Sequence, residues 1–179
     1  MKRIGICCVL LLFLAAGGCG KRELEDRSFP SVLLVADADL ETAVQTAQQE
    51  SSLYIDFGYT KAALIDETVL TNRSQFKEVL LYLEQRPDFA RNLLLFCADE
   101  KVRELADQNQ STAGSVLEDL YKNQPREQRE EGVTLQDALN YLHNCEEELE
   151  IPCLGLKGEE FIRKGSVTLT WEENPGGVE

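Results

Sequence analysis

Three places in the sequence carry residue types able to do chemistry. The first is Cys19, which stands where an apolar leader stops and directly follows Ala16-Gly17-Gly18. Small residues leading into a cysteine at the end of such a run have the pattern of a bacterial lipobox. In that arrangement the thiol takes a diacylglycerol, and cleavage leaves the cysteine as the first residue. Cys19 is therefore expected to be lipidated; the other reading is an ordinary signal peptide cut nearby, leaving a free thiol. Buried acyl chains contribute about 0.8 kcal/mol per methylene, and more than one chain gives a stable anchor.

The second place is the group His143, Cys145 and Cys153 with Glu146, Glu147 or Glu148. Cysteine and histidine suit zinc, but this spacing fits no common zinc knuckle. The plainer reading is a histidine at the edge of an apolar stripe, followed by a solvated acidic helix end. No metal and no cofactor are expected. The third place is Asp56, Tyr59 and Lys61 around Gly58. They could line a polar pocket, although charges beside a bend are ordinarily solvated.

Beyond these the catalytic vocabulary is thin. There is no glycine-rich phosphate loop, no serine elbow and no paired-histidine zinc helix. His143 is the one histidine of the chain, so any Ser-His-Asp set would have to use it. No catalytic residue is assigned, and an enzyme is not expected.

The elements that must position these residues follow from apolar patterning. Met1-Lys2-Arg3 and the apolar run from Ile4 to Ala16 read as a signal peptide over residues 1–18. The run is shorter than the about 20 residues that a membrane-spanning helix needs. Residues 19–30 read as a lipidated start with a polar spacer or edge element. Val32–Ala36, a segment near Lys61–Asp66 and the run ending at Cys97 are continuous apolar stretches, the pattern of buried strands. Leu40, Ala43, Val44 and Ala47 fall at helical spacing. Phe76, Val79, Leu80 and Leu83 do the same, with Ser74 as a plausible N-cap and Pro87 as the stop. A helix is expected over about 100–107, and another over about 112–122 with Val116, Leu117 and Leu120 inward. Residues 123–132 form the clearest loop. Thr134 and Asp137 have capping-box spacing ahead of Leu135, Ala138, Leu139 and Leu142. Two extended segments then meet at a turn near Gly158-Glu159; Val167, Leu169 and Trp171 alternate with polar residues. Residues 172–179 read as a disordered polar tail.

Strands alternating with helices and a terminal hairpin predict an α/β (α+β) fold. A mixed β-sheet packs against several helices in one domain over residues 31–171. Cys97 reads as a small buried hydrophobe, and Cys145 and Cys153 could pair. Losing the leader removes Lys2 and Arg3 and no acid, which makes the formal charge two units more negative than -14. Such an acidic surface excludes nucleic acid as a partner and leaves membrane attachment to the lipid.

Several of these pieces, in order, resemble the Ger(x)C proteins, the lipoprotein C subunits of nutrient germinant receptors in spore-forming bacteria. Arg22-Glu23-Leu24 after Cys19 is similar to the start of that family's mature chain. Phe57-Gly58-Tyr59 leading into Lys61–Ile65 resembles its aromatic-glycine bend and following strand. "YLEQRPDFARNLLLFCAD" and "IPCLGLKGEEFIRKGSVTL" match its later helix, turn and strands in order and spacing. The resemblance covers residues 19–170 and is to the N-terminal domain of a C subunit. It implies a non-enzymatic component of germination machinery, tethered by lipid to the extracytoplasmic face of a membrane, the spore inner membrane in that family. The implied partners are integral membrane A-type and B-type subunits. Arg22, Glu23, Leu24, Gly58 and Tyr59 are the candidate contacts with them. The alternative is a generic extracytoplasmic solute-binding or scaffold lipoprotein.

Overall fold

The structure is a computed structural model that describes residues 24–122, 132–144 and 148–170. Its centre is a mixed five-stranded sheet in the order β2-β4-β5-β6-β7. Strands β2 (Val32–Val35), β4 (Ala62–Ile65) and β5 (Leu94–Cys97) are four-residue apolar runs lying parallel. Strand β6 (Glu148–Lys157) joins β5 in parallel through Cys97 and Cys153. Strand β7 (Glu160–Thr170) returns antiparallel to β6, across a turn in which Gly158 takes a left-handed φ of 67°. A side chain there would be strained, so glycine suits the turn.

Continuous apolar strands form because both faces of the sheet are covered. Alternation sends Leu33, Val35, Ala63, Ile65 and Leu95 to one face. There they meet α1 (Leu40–Glu50), α2 (Glu67–Thr71), α3 (Arg73–Gln85) and α6 (Leu135–Asn144). Val32, Ala62, Leu64 and Phe96 go to the other face, against α4 (Glu100–Gln108) and α5 (Ala113–Lys122). The expected α/β architecture with a C-terminal hairpin is therefore present.

Local chemistry starts most helices. The side chains of Asp39, Asp66 and Asp99 accept from the amides of Thr42, Thr68 and Val102, satisfying donors that have no partner inside the helix. Thr134 and Asp137 make the expected reciprocal box: Thr134 N donates to Asp137 at 2.8 Å, and Asp137 N donates to Thr134 Oγ1 at 3.3 Å.

Three expectations are corrected. Asn72, not Ser74, caps α3, accepting from Gln75 N, because the residue that closes the short helix α2 as its C-cap also opens α3 as its N-cap. Val116 is not inward but 46% exposed. Ala113, Leu117 and Tyr121, at successive i+4 positions, take the core face instead. Of the stripe expected on α1, only Leu40 is buried; Val44 is half-buried, and Ala43 and Ala47 are exposed. For residues 27–28, read as spacer or edge element, the structure gives the edge element. They form β1 (Arg27–Ser28), which pairs in parallel with β3 (Tyr54–Ile55) in a second, two-stranded sheet. Residues 123–131, Trp171 and the tail expected over 172–179 lie outside the described residues.

Among the described residues, no helix is long and apolar enough to cross a membrane.

Candidate functional site

The chain enters the fold through one turn of 3₁₀ helix, Leu24–Asp26, and passes at once into β1. The pairing of Arg27 with Tyr54 and of Ser28 with Ile55 brings this entry beside the turn Phe57–Tyr59. Two stretches far apart in sequence thus converge at one end of the molecule.

Ion pairing and aromatic packing hold that end together. Arg27 Nη1 contacts Asp56 Oδ2 at 2.7 Å, and the guanidinium lies 5.8 Å from the centre of the Tyr54 ring. Asp56 also accepts from Gly58 N at 3.0 Å, which starts the turn. That amide bond foremost, with Arg27 beside it, holds the Asp56 carboxyl below its usual range against the opposing effect of burial. Thr60 N donates to the Phe57 carbonyl, and Thr60 Oγ1 to the Pro30 carbonyl at 3.0 Å. On α1, Gln48 accepts from Ile55 N and donates to the Leu53 carbonyl, so the helix carries β3.

The turn then divides its aromatic residues. Phe57 is buried, with its ring 5.3 Å from that of Phe89. Tyr59 is 67% exposed and meets Phe29 edge-on at 5.1 Å. With Tyr54 and Leu53, also exposed, it gives this end several of the large apolar side chains that the described residues leave to solvent. Tyrosines of this kind present an apolar body and a hydrogen-bonding tip, a composition enriched at protein contacts and at membrane interfaces.

Of the residues expected to make contacts, Gly58 and Tyr59 sit in this turn and Leu24 begins the adjoining 3₁₀ segment. Arg22, Glu23 and the lipidation position Cys19 lie outside the described residues. Asp56, Tyr59 and Lys61 do not make a joint pocket. Asp56 is engaged by Arg27 and Gly58, whereas Lys61 Nζ reaches away to Ser115 Oγ at 3.1 Å and Glu118 at 3.0 Å. Missing from the sequence reading was Arg27, whose role depends on a pairing between residues 29 positions apart.

The histidine and cysteine positions separate. His143 is half exposed and faces the Glu84 carboxylate at 3.1 Å. Cys145 lies outside the described residues. Cys153 carries a free thiol, and its neighbour across the sheet is Cys97, also free. Burial, then the Cys153 thiol beside it, pushes the Cys97 thiol well above the usual range. Among the described residues, no three metal-ligating side chains come together.

Comparison with known families is consistent with this geometry. A search of curated proteins and one of solved structures returned no match. A family profile described as the spore germination protein N-terminal domain matches residues 20–156, which covers most of the chain and takes in the entry segment, both faces of the sheet and most of β6. By that match the chain belongs to the spore germination protein N-terminal domain family, the N-terminal domain of Ger(x)C proteins.

Proposed function

We propose that the protein is a lipid-anchored, non-catalytic component of a germinant receptor-like complex. In this reading Cys19 carries the lipid on the extracytoplasmic face of the spore inner membrane. The end built by Leu24, Gly58 and Tyr59, with Arg22 and Glu23 just upstream, contacts integral membrane A-type and B-type subunits in assembly or signalling.

One observation carries the reading: the family match spans residues 20–156 and begins one residue after the candidate lipid-bearing cysteine. The geometry adds a reason for the place of contact. Cys19 is five residues from Leu24, and a fully extended chain covers about 3.5 Å per residue. A lipid on Cys19 would keep Leu24, the start of the segment that leads into β1 beside Tyr54, within about 20 Å of the bilayer.

The test is co-purification of the neighbouring A-type and B-type subunits with the tagged chain from spore membranes. The wild type, Cys19→Ala and Tyr59→Ser would be compared, alongside nutrient-triggered germination of a deletion strain. Reduced recovery in both variants and slowed germination in the deletion are expected. Normal germination together with absence of the chain from sporulating cells would overturn the reading.

A further inference from the structure

We infer that the outer edge of β2 is a strand-addition site, which takes an extended, basic segment of a partner protein. The inference deepens the partner-subunit reading and rests on it only for the source of that segment.

The first observation is an unfinished edge. Strand β2 is terminal in its sheet and bonds inward to β4 alone. The Val35 carbonyl accepts from Asp66 N at 2.9 Å, so this residue faces β4. Successive residues of a strand direct their backbone groups to opposite sides. Leu34 therefore turns its own N–H and C=O outward, and among the described residues neither has a backbone partner outside the sheet. Such an edge is a template for another strand unless charge, a bulge or a cover blocks it. The opposite edge strand, β7, carries exposed Arg163 and Lys164, and the β6–β7 ladder is interrupted at Cys153/Leu154. Strand β2 reads Val-Leu-Leu-Val and carries no charge.

The second observation is an apolar wall that the core does not use. Helix α1 runs beside this edge and buries Leu40 but leaves Ala43 and Ala47 open. Those alanines, with Val44, face a cleft of about 260 Å³ that also takes in Val32, Leu33 and Leu34. Gln110 lines the same cleft, and its side-chain oxygen is buried without a hydrogen-bond partner. A strand edge and a helical apolar stripe thus share one cleft. Backbone pairing together with pockets for alternate side chains is how an added strand is recognised.

Charge selects the occupant. Asp37, Asp39, Glu41 and Glu50 are exposed on α1 and its approach, and α1 has no lysine or arginine. A second copy of the chain would bring two acidic rims together, which like charges oppose. An extended segment with apolar residues facing the sheet and Lys or Arg between them answers the edge, the wall and the rim together.

The test uses the full chain and an acetylated, amidated seven-residue peptide of alternating Val and Lys. The readout is hydrogen exchange at the Leu34 amide. Saturating peptide is expected to slow that exchange at least tenfold. A peptide N-methylated at alternate amides and one with Glu in place of Lys should each lose most of the effect. Ala43→Lys, at an exposed position, should weaken binding about tenfold without changing the thermal melt. The inference is overturned if no slowing occurs, or if the N-methylated peptide protects equally. Protection that rises with chain concentration alone would assign the edge to a second copy. Protection by phosphatidylglycerol vesicles without peptide would assign it to lipid. Each of these outcomes also overturns it. No receptor subunit enters this measurement, so its failure leaves the co-purification result standing, and the converse holds too.

Discussion

Gly114 donates its backbone N–H to the side-chain oxygen of Ser31 at 2.9 Å, joining residues 83 positions apart. Ser31 in turn donates its N–H and its hydroxyl to the Gln110 carbonyl, at 2.9 and 2.6 Å. The start of β2 is thereby locked to the α4–α5 connection, beside the cleft that the strand edge opens. The contact is too close for any side chain. A Cβ at position 114 would lie 2.1 Å from the Ser31 carbonyl oxygen, which is backbone and cannot swing aside.

Gly114→Ala should therefore destabilise the protein although alanine is the better helix former. Overpacking of this kind costs about 1–3 kcal/mol, against a gain of about 1 kcal/mol for replacing a helical glycine. Urea unfolding should show a lower midpoint with an unchanged slope. A midpoint equal to or above wild type would mean that α5 shifts freely on β2.

The role of Gly114 was not legible in the sequence, and the reason is general. Caps and strands depend on neighbours a few residues away, so the Thr134–Asp137 box and the apolar runs at 32–36 and 61–66 could be read directly. The facing of a helix depends on its tertiary partner. Val116 and Leu117 are adjacent, equally apolar and equally compatible with the helical pattern; the approach of Gly114 to Ser31 decides that Leu117 points inward. The α1 stripe shows the reverse. Its spacing was visible, but the period does not reveal that the sheet ends at β2 and leaves Ala43 and Ala47 uncovered. The entry end was half legible. Gly58 and Tyr59 stand out as a bend, whereas Arg27 acquires its meaning only from β1–β3 pairing.

Among the described residues Asp66 and Arg103 form the least exposed of the ion pairs, at 2.6 Å, and Arg103 also donates to the Ala98 carbonyl at 2.5 Å. Burial works to raise the Asp66 carboxyl pKa. The hydrogen bonds from Thr68 and the Arg103 guanidinium outweigh it and hold the group below its usual range. A depressed folded pKa contributes stability above the unfolded value of about 3.9, and that stability fades as pH falls through the folded value. Asp66→Asn should cost about 1.5–3 kcal/mol at pH 7, the range for hydrogen bonds to charged groups. The difference from wild type should hold down to about pH 5 and shrink below about pH 4. A difference that stays constant to pH 2 would exclude the carboxylate as its source.

Cys97 and Cys153 face each other across β5 and β6, yet their reactivities should differ. Cys97 is 4% exposed and its thiol is held protonated by burial, whereas Cys153 is half exposed. The thiolate is the nucleophile, so iodoacetamide at pH 8 should label Cys153 well before Cys97. Peptide mass spectrometry would resolve the two sites. Both should label at similar rates in 8 M urea. Equal labelling in the native state would show that β6 opens from β5.

Phe57 and Tyr59 occupy the two ends of one three-residue turn, and they should separate stability from contact. Phe57 is 8% exposed and packs on Phe89, so Phe57→Ala removes core contacts and should cost about 3–5 kcal/mol. Tyr59 is 67% exposed and meets Phe29 edge-on, a pairing of a kind that contributes about 0.5–1.5 kcal/mol. Tyr59→Ser should therefore lower the melting temperature by no more than about 6 °C in a chain of this size. The same substitution should reduce recovery of the membrane subunits, because a side chain so open to solvent does little for the fold. If Tyr59→Ser melts normally and recovers those subunits at the wild-type level, the contact lies elsewhere on the surface. A large fall in melting temperature would instead make Tyr59 a structural residue, and its exposure would no longer argue for a partner.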